Sequence, residues 1–350
     1  MANIRQVASE AGVSITTVSR VLNNKPGVGE ETRQRVLAVA QELRYHSSNH
    51  LPASHPQVTH LGFLNPTFPQ EITSNAFYAD VLHGVEQICR ELHINLSFNT
   101  LNYAGSQLRA VPSSIKDNNI SGFFVVGGRI RQEVIAALEA STLSPFVLVD
   151  NYFPECGWDA VMVDNLRGIR LSTEYLISRG HRHIALIGGP NHASIVERRL
   201  GYQETMQRHQ LTPLIVTPPY LSYEDGEWGV TEILRQAPHT TAIVCSNDEQ
   251  AVGALRTLRE LGYSVPKDFS LVGFDNINMV QFTNPPITTV CVDRVTMGQV
   301  AVQLLLDRIK FPDRPVMKVT MGVKLIERAS VTTPRAHEIL APALKEEKTS

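Results

Sequence analysis

Several polar residues in this chain follow directly on short apolar runs. Asp150 follows Phe146–Val149, Asn247 and Asp248 follow Ala242–Cys245, and Asp275 follows Leu271–Phe274. Arg198 lies in a stretch of helical spacing after Gly188-Gly189, and Phe77 and Tyr78 open another that runs to His93. If the apolar runs are parallel strands, their carboxyl ends meet along one edge, where loops converge and ligands bind. Carboxylates and a guanidinium hold vicinal hydroxyls through charge-assisted, bidentate hydrogen bonds. An aromatic ring packs on the apolar face of a sugar or a base. Any one of these residues alone reads as a helix cap or an ion-pair partner, and Asp248 reads as the N-cap of the helix after it. Taken together, Phe77, Tyr78, Asp150, Arg198, Asn247 and Asp275 read as a small-molecule site, with Asp275 and Arg198 at its centre.

Covalent chemistry finds little support. There is no GxGxxG and no GxxxxGK[ST], so Gly188-Gly189 reads as a packing turn rather than a phosphate loop. No catalytic triad, nucleophile elbow or metal cluster stands out. Cys89, Cys156, Cys245 and Cys291 are scattered without a CxxC or zinc spacing, as reduced thiols would be. The chain therefore reads as a binding protein, not an enzyme, with no metal and no cofactor. The N-terminal residues contain no apolar signal core, which points to the cytoplasm and away from an exported solute receptor.

The 350 residues exceed one hydrophobic core, so two or three domains are expected. The first sixty residues carry six basic against four acidic side chains, within a chain of net charge −2. That is a mildly basic head on an acidic body. In the head, Asn3 can cap a helix whose Ile4, Val7, Ala8 and Ala11 share a face. Gly12 can take the left-handed conformation that ends it. Ser14 caps a second helix, from Ile15 to about Leu22, that buries Val18, Val21 and Leu22. A third begins near Gly29 and buries Val36, Leu37, Ala40 and Leu43. Two short helices joined by a glycine turn, with a third as support, form a helix-turn-helix. The second helix fits the major groove, with Ile15, Thr16, Thr17, Ser19 and Arg20 facing outward. Arg20 can donate two hydrogen bonds to a guanine edge. Ile15 and Thr16 offer contact to thymine methyls, and Thr17 and Ser19 suit a surface close to phosphates.

The string Val13-Ser-Ile-Thr-Thr-Val-Ser-Arg-Val-Leu-Asn23 resembles the head of the lactose-repressor (LacI/GalR) family, as does Val28-Gly-Glu-Glu-Thr-Arg-Gln-Arg-Val36. The likeness continues through Val163–Gly168, Gly180–Gly189, Ser246–Ala254, Val272–Asn276 and Pro285–Thr289, covering about residues 3–333. It implies a sequence-specific transcriptional regulator, a repressor, whose operator affinity is set allosterically by a small molecule. It adds Asn23 to the DNA-reading residues and puts Phe77, Tyr78, Asp150, Arg198, Asn247 and Asp275 at effector positions. Val126 and Leu221 stand where some relatives carry polar and aromatic residues. A sugar or small glycoside is the first reading of the effector and a nucleobase the second.

Strand-like and helix-like stretches alternate from Val58 onward, as parallel sheets covered on both faces require. Strands are expected at Val58–Leu64, Ile94–Phe98, Gly122–Val126, Phe146–Val149, Ala160–Val163, His183–Ile187, Ala242–Cys245 and Ser270–Val272. Helices are expected at Tyr78–His93, Leu166–Arg179, Ile195–His209 and Glu249–Leu261. The fold class is thus an all-α head, residues 1–45, on an α/β body, residues 57–333, with room for two lobes, which the resemblance implies are periplasmic-binding-protein-like. The resemblance divides the body into an N-lobe of 57–161 and 292–319 and a C-lobe of 162–291 and 320–333. The linker, 46–56, departs from the family pattern: Pro52 resists helix continuation, and Ser54 stands where a wedging leucine is expected. Either the linker carries no wedge, the reading put first, or Leu51 serves as a shifted one. One short reading helix sees few base pairs, so two heads on a pseudo-palindromic operator are expected. The family implies a homodimer through the body. The tail, 334–350, has no leucine heptads and reads as disordered.

Overall fold

Gly12 closes the first helix of the head as the spacing predicts. The computed structural model describes residues 4–22, 28–42, 58–66, 76–116 and 119–335. The chain divides into two compact units between Val58 and Thr59. In the first, α1 (Ile4–Glu10), α2 (Ile15–Leu22) and α3 (Glu30–Glu42) form the three expected helices. Gly12 has φ +64°, the Gly12 amide donates to Ser9 O and the Val13 amide to Ala8 O. That pair of bonds is the Schellman arrangement, which satisfies carbonyls that the helix end would leave bare. Ser14 Oγ accepts from the Thr17 amide at 3.0 Å and so caps α2. Val7, Ala8, Ala11, Val18, Val21, Val36 and Ala40 make the core of this unit. The small Ala8 and Ala11 allow the helices to approach closely. Asn3, Asn23, Leu43, the linker 46–56 and most of the tail lie outside the described residues.

The second unit holds two six-stranded sheets. The first is built from β1 (His60–Asn65), β2 (Asn95–Thr100), β5 (Phe123–Val126), β6 (Phe146–Val149), β7 (Asp159–Val163) and β13 (Lys318–Met321), in the order β13-β7-β6-β5-β1-β2. All its pairings are parallel. The second comprises β8 (Ile184–Ile187), β9 (Leu214–Val216), β10 (Ala242–Cys245), β11 (Ser270–Asp275), β12 (Thr288–Cys291) and β14 (Lys324–Ile326), in the order β14-β12-β11-β10-β8-β9. Only β14 runs antiparallel to its neighbour. The central strands are buried along their length, as continuous apolar runs in parallel sheets must be. A short hairpin, β3 (Asn102–Ala104) with β4 (Gln107–Ala110), stands apart from both sheets.

Among the described residues, seven helices cover the sheets: α4 (Ala76–Glu91), α5 (Gln132–Glu139), α6 (Asn165–Ser178), α7 (Ala193–Arg208), α8 (Tyr223–Gln236), α9 (Asp248–Glu260) and α10 (Arg294–Lys310). Helices α4 and α10 pack in backbone contact: a Cβ on Gly84 would come within 2.0 Å of Val295 O, and one on Gly298 within 2.1 Å of Val81 O. The chain passes between lobes three times, after β7, after β12 and after β13. Strands β7 and β13 run to Val163 and Met321, two residues past the expected bounds of about 161 and about 319. The reason is the pairing of Met162 with Thr320 and Val163 with Met321, which keeps both strands in the first sheet. Likewise β11 runs to Asp275 rather than Val272, because Gly273, Phe274 and Asp275 pair with β12. Asp159, fully buried, pins the third segment in place. Its two carboxylate oxygens accept from Arg308, Arg314 and the Met317 amide at 2.7–3.1 Å.

Candidate functional site

The carboxyl ends of the two sheets face a cavity of about 360 Å³. Phe77, Tyr78, Asp150, Arg198, Asn247 and Asp275 all line it. Phe77 and Tyr78 come from the first turn of α4, with ring centroids 5.2 Å apart in an edge-to-face pair. Asp150 follows β6 with φ +60°, and Asp275 ends β11 with φ +106°. Neither is glycine, so both hold a conformation that L-residues seldom adopt, a cost that concentrates at functional sites. The sequence positions the two carboxyls at strand ends but carries no sign of this backbone turn.

The polar groups are tied together across the cavity. Tyr78 Oη donates to Asp150 Oδ2 at 2.9 Å and accepts from the Gly128 amide at 3.2 Å. Ser194 Oγ, from the other lobe, donates to Asp150 Oδ1 at 2.6 Å. Arg198 donates from Nε to Asn165 Oδ1 at 2.9 Å, from Nη1 to Ser246 O, and from Nη2 towards Asp275 Oδ1 at 3.5 Å. Its guanidinium also stacks over Phe274, 3.7 Å from the ring centre. Arg198 is therefore a buried organiser of the wall, with three of its five N–H donors aimed at protein acceptors. Arg294 joins the lobes in a similar way: it pairs with Asp80 at 2.7 Å and donates to Asp275 O.

One expectation is corrected. The N-cap of α9 is Asn247, whose Oδ1 accepts from the Gln250 amide at 3.0 Å while Nδ2 donates to Leu221 O. Asp248 occupies the first helical position with its carboxylate turned inward, accepting from Thr289 Oγ1 at 2.6 Å and the Ile277 amide at 2.8 Å. The inward turn follows from Gly273: a Cβ there would lie 2.1 Å from Asp248 Oδ1, so only glycine admits the carboxylate. Burial pushes Asp248 up to about 8, with the Asp275 charge adding to the shift. Burial also raises Glu249 to about 7, and Asp275 to about 6 against the pull of Arg198 and Arg294.

The cavity also takes residues that the strand-end pattern does not reach: Arg129, His192, Ser194, Tyr220, Ser222 and Glu249. They sit in loops and first helical turns, without a periodicity to mark them. Arg129 lies 4.8 Å above the Tyr220 ring, a cation–π contact from lobe to lobe.

In the head, Ile15 is 45% exposed, and Thr16 and Arg20 are exposed on α2. Thr17 is half-buried, and its hydroxyl meets Ser14 Oγ at 2.9 Å, so it belongs to the cap as much as to the outer face. Ser19 lies within α2. Asn23 and Leu51 lie outside the described residues.

A model of bacterial regulatory proteins of the lacI family matches residues 3–48, and one of a periplasmic binding protein-like domain matches 173–331. The ribose operon repressor of Haemophilus influenzae is 30% identical over 335 residues, covering 95% of this chain and 99% of its own length. The chain belongs to the LacI family. It is a DNA-binding transcriptional regulator with a helix-turn-helix head and a periplasmic-binding-protein-like body. The HTH-type transcriptional repressor PurR of Escherichia coli O1:K1 / APEC is 32% identical over 340 residues, with 95% and 97% of the two chains covered. Among solved structures, a LacI family regulator from Enterococcus faecium with bound ribose superposes with a TM-score of 0.69 at 27% identity. That match covers 79% of this chain and 99% of the other. Among the described residues, no helix of this LacI-family chain is long and apolar enough to cross a membrane, and no cluster of metal-ligating side chains occurs.

Proposed function

We propose that the interlobe cavity holds a sugar or small glycoside, and that its occupancy sets the affinity of the head for an operator. The observation that carries this reading is the convergence of Phe77, Tyr78, Asp150, Arg198, Asn247 and Asp275 on one cavity of about 360 Å³, room for a mono- or disaccharide. The ribose repressor among the relatives and the ribose bound to the Enterococcus faecium regulator support it. Phe77 supplies an apolar face, while Asp275 and Asp150 have acceptor lone pairs for hydroxyls beyond the bonds they already take from protein. The ligand controls DNA binding by favouring one lobe arrangement over another.

On the DNA side, Ile15, Thr16, Thr17, Ser19, Arg20 and Asn23 face the major groove, and Leu51 is the candidate wedge in the minor groove. The chain works in the cytoplasm as a homodimer on a pseudo-palindromic site, without a cofactor, and releases its sugar unchanged. The test is calorimetric titration of the full chain with D-ribose, D-fructose, D-glucose, cellobiose, adenine and hypoxanthine, followed by genomic footprinting with and without the tightest binder. A sugar that binds and changes the footprint is the expected result. Binding of a nucleobase alone overturns the sugar reading, and chemical conversion of the bound sugar overturns the assignment as a non-enzyme.

A further inference from the structure

Most polar groups on the cavity wall are committed to the protein itself. Asp150 accepts from Tyr78 and Ser194, Arg198 serves Asn165, Ser246 and Asp275, and Asn247 caps its helix. His192 differs. Both of its ring nitrogens are buried, and neither has a hydrogen-bond partner among the described residues. The residue stands at the N-cap position of α7 with extended backbone (φ −132°, ψ 164°), yet its side chain does not cap the helix. Instead the ring turns to the loop after β5. A Cβ on Gly128 would lie 2.8 Å from His192 Nδ1, so the glycine makes room for the imidazole in this orientation.

A buried polar group with no partner costs about 1–3 kcal/mol, a debt that a ligand hydroxyl would remove. The charges that face the ring are Asp150, Arg198 and Arg129, and burial outweighs the carboxylate to hold the imidazole below its ordinary range. It is neutral at physiological pH, and a neutral imidazole offers one donor and one acceptor. That pairing matches adjacent hydroxyls, one accepting and one donating. Three carboxyl side chains, Asp150, Glu249 and Asp275, share the wall with the guanidinium groups of Arg129 and Arg198.

We propose that His192 determines effector specificity, by exchanging hydrogen bonds with adjacent hydroxyls of a polyol ring. This rests on the sugar reading of the cavity given above. The test uses the full chain and calorimetry. Wild type, His192→Ala and His192→Asn are titrated with D-ribose, D-fructose, D-glucose and cellobiose. The tightest binder is then compared with its monodeoxy analogues, and thermal melting checks that each variant folds.

We expect one monodeoxy analogue to bind wild type about 10–100-fold more weakly than the parent sugar. In His192→Ala, parent and analogue bind alike. His192→Asn, which keeps a donor and an acceptor, retains part of the discrimination. If the parent sugar binds and His192→Ala preserves the wild-type discrimination among analogues, the inference is overturned and the sugar reading stands. Absence of binding by all four sugars to folded wild type overturns both.

Discussion

Asp248 is an acid held among Thr289, the Ile277 amide and the carboxyl of Asp275, away from water. Its folded value of about 8, and those of about 7 for Glu249 and about 6 for Asp275, lie above the ordinary carboxylate range. The folded body therefore binds protons that the unfolded chain releases. Stability from these groups is complete below about pH 4 and is lost as pH rises through 6, 7 and 8 in turn. Each group contributes a slope of at most about 1.4 kcal/mol per pH unit. Asp248→Asn can keep both hydrogen bonds if its amide nitrogen faces Thr289 Oγ1. We expect it to flatten the decline in urea-unfolding free energy between pH 5 and 8, and an unaltered slope would show that Asp248 does not titrate there. Arg198→Met strands Asp275, Ser246 O and Asn165 Oδ1 without their donor. It should cost about 3 kcal/mol of body stability in urea and raise Asp275 further; a loss under 0.5 kcal/mol (an order-of-magnitude floor for buried polar groups) would contradict the role given to this side chain. Strand-end spacing points to Asp150, Asn247 and Asp275, and the family resemblance puts all six side chains at effector positions. Neither distinguishes the arginine that organises the wall from a histidine that is left open, because that difference lies in which partners the fold delivers.

At the scale of elements, what could be read depended on whether an element is buried on one face or on both. Helices α4, α6, α7 and α9 keep an exposed side, so each starts within two residues of its expected position. The α10 helix, Arg294–Lys310, lies against α4 and β7 and is apolar over much of its circumference, which erases the periodic signal. Strands β9 and β14 have three residues each, too few for a pattern, and β14 pairs with β12 only because the chain returns after its third passage. The head was more legible because its signals are local: Gly12 and Ser14 act within a few residues of themselves. Ser14→Ala removes the acceptor for the Thr17 amide and should cost about 1 kcal/mol. In hydrogen exchange on the full chain, amides of α2 would lose roughly fivefold in protection, since 1.4 kcal/mol is a factor of ten. Equal protection in variant and wild type would place the stability of α2 in its core residues alone.

At the scale of the whole body, direct contacts bridge the two lobes. Ser194 reaches Asp150 at 2.6 Å, Arg129 lies over Tyr220, and Arg294 links Asp80 of one lobe to the Asp275 backbone of the other. Such ties bias the equilibrium between lobe arrangements, and a ligand shifts that equilibrium only through its differential affinity for them. If an effector changes operator affinity by a factor α, the operator must change effector affinity by the same factor. Asp80 lies outside the cavity lining, so Asp80→Ala loosens the Arg294 tie without removing a ligand contact. Its side chain is partly exposed, which limits the energy at stake to about 1 kcal/mol. We expect α to fall by a few-fold, with operator affinity followed by fluorescence anisotropy with and without sugar. The same fall must appear when sugar is titrated calorimetrically with and without operator. An Asp80→Ala chain with wild-type α in both measurements would mean that the Arg294 tie is indifferent to the arrangement the operator selects. Coupling would then have to run through the contacts at the cavity itself, Ser194–Asp150 and Arg129–Tyr220.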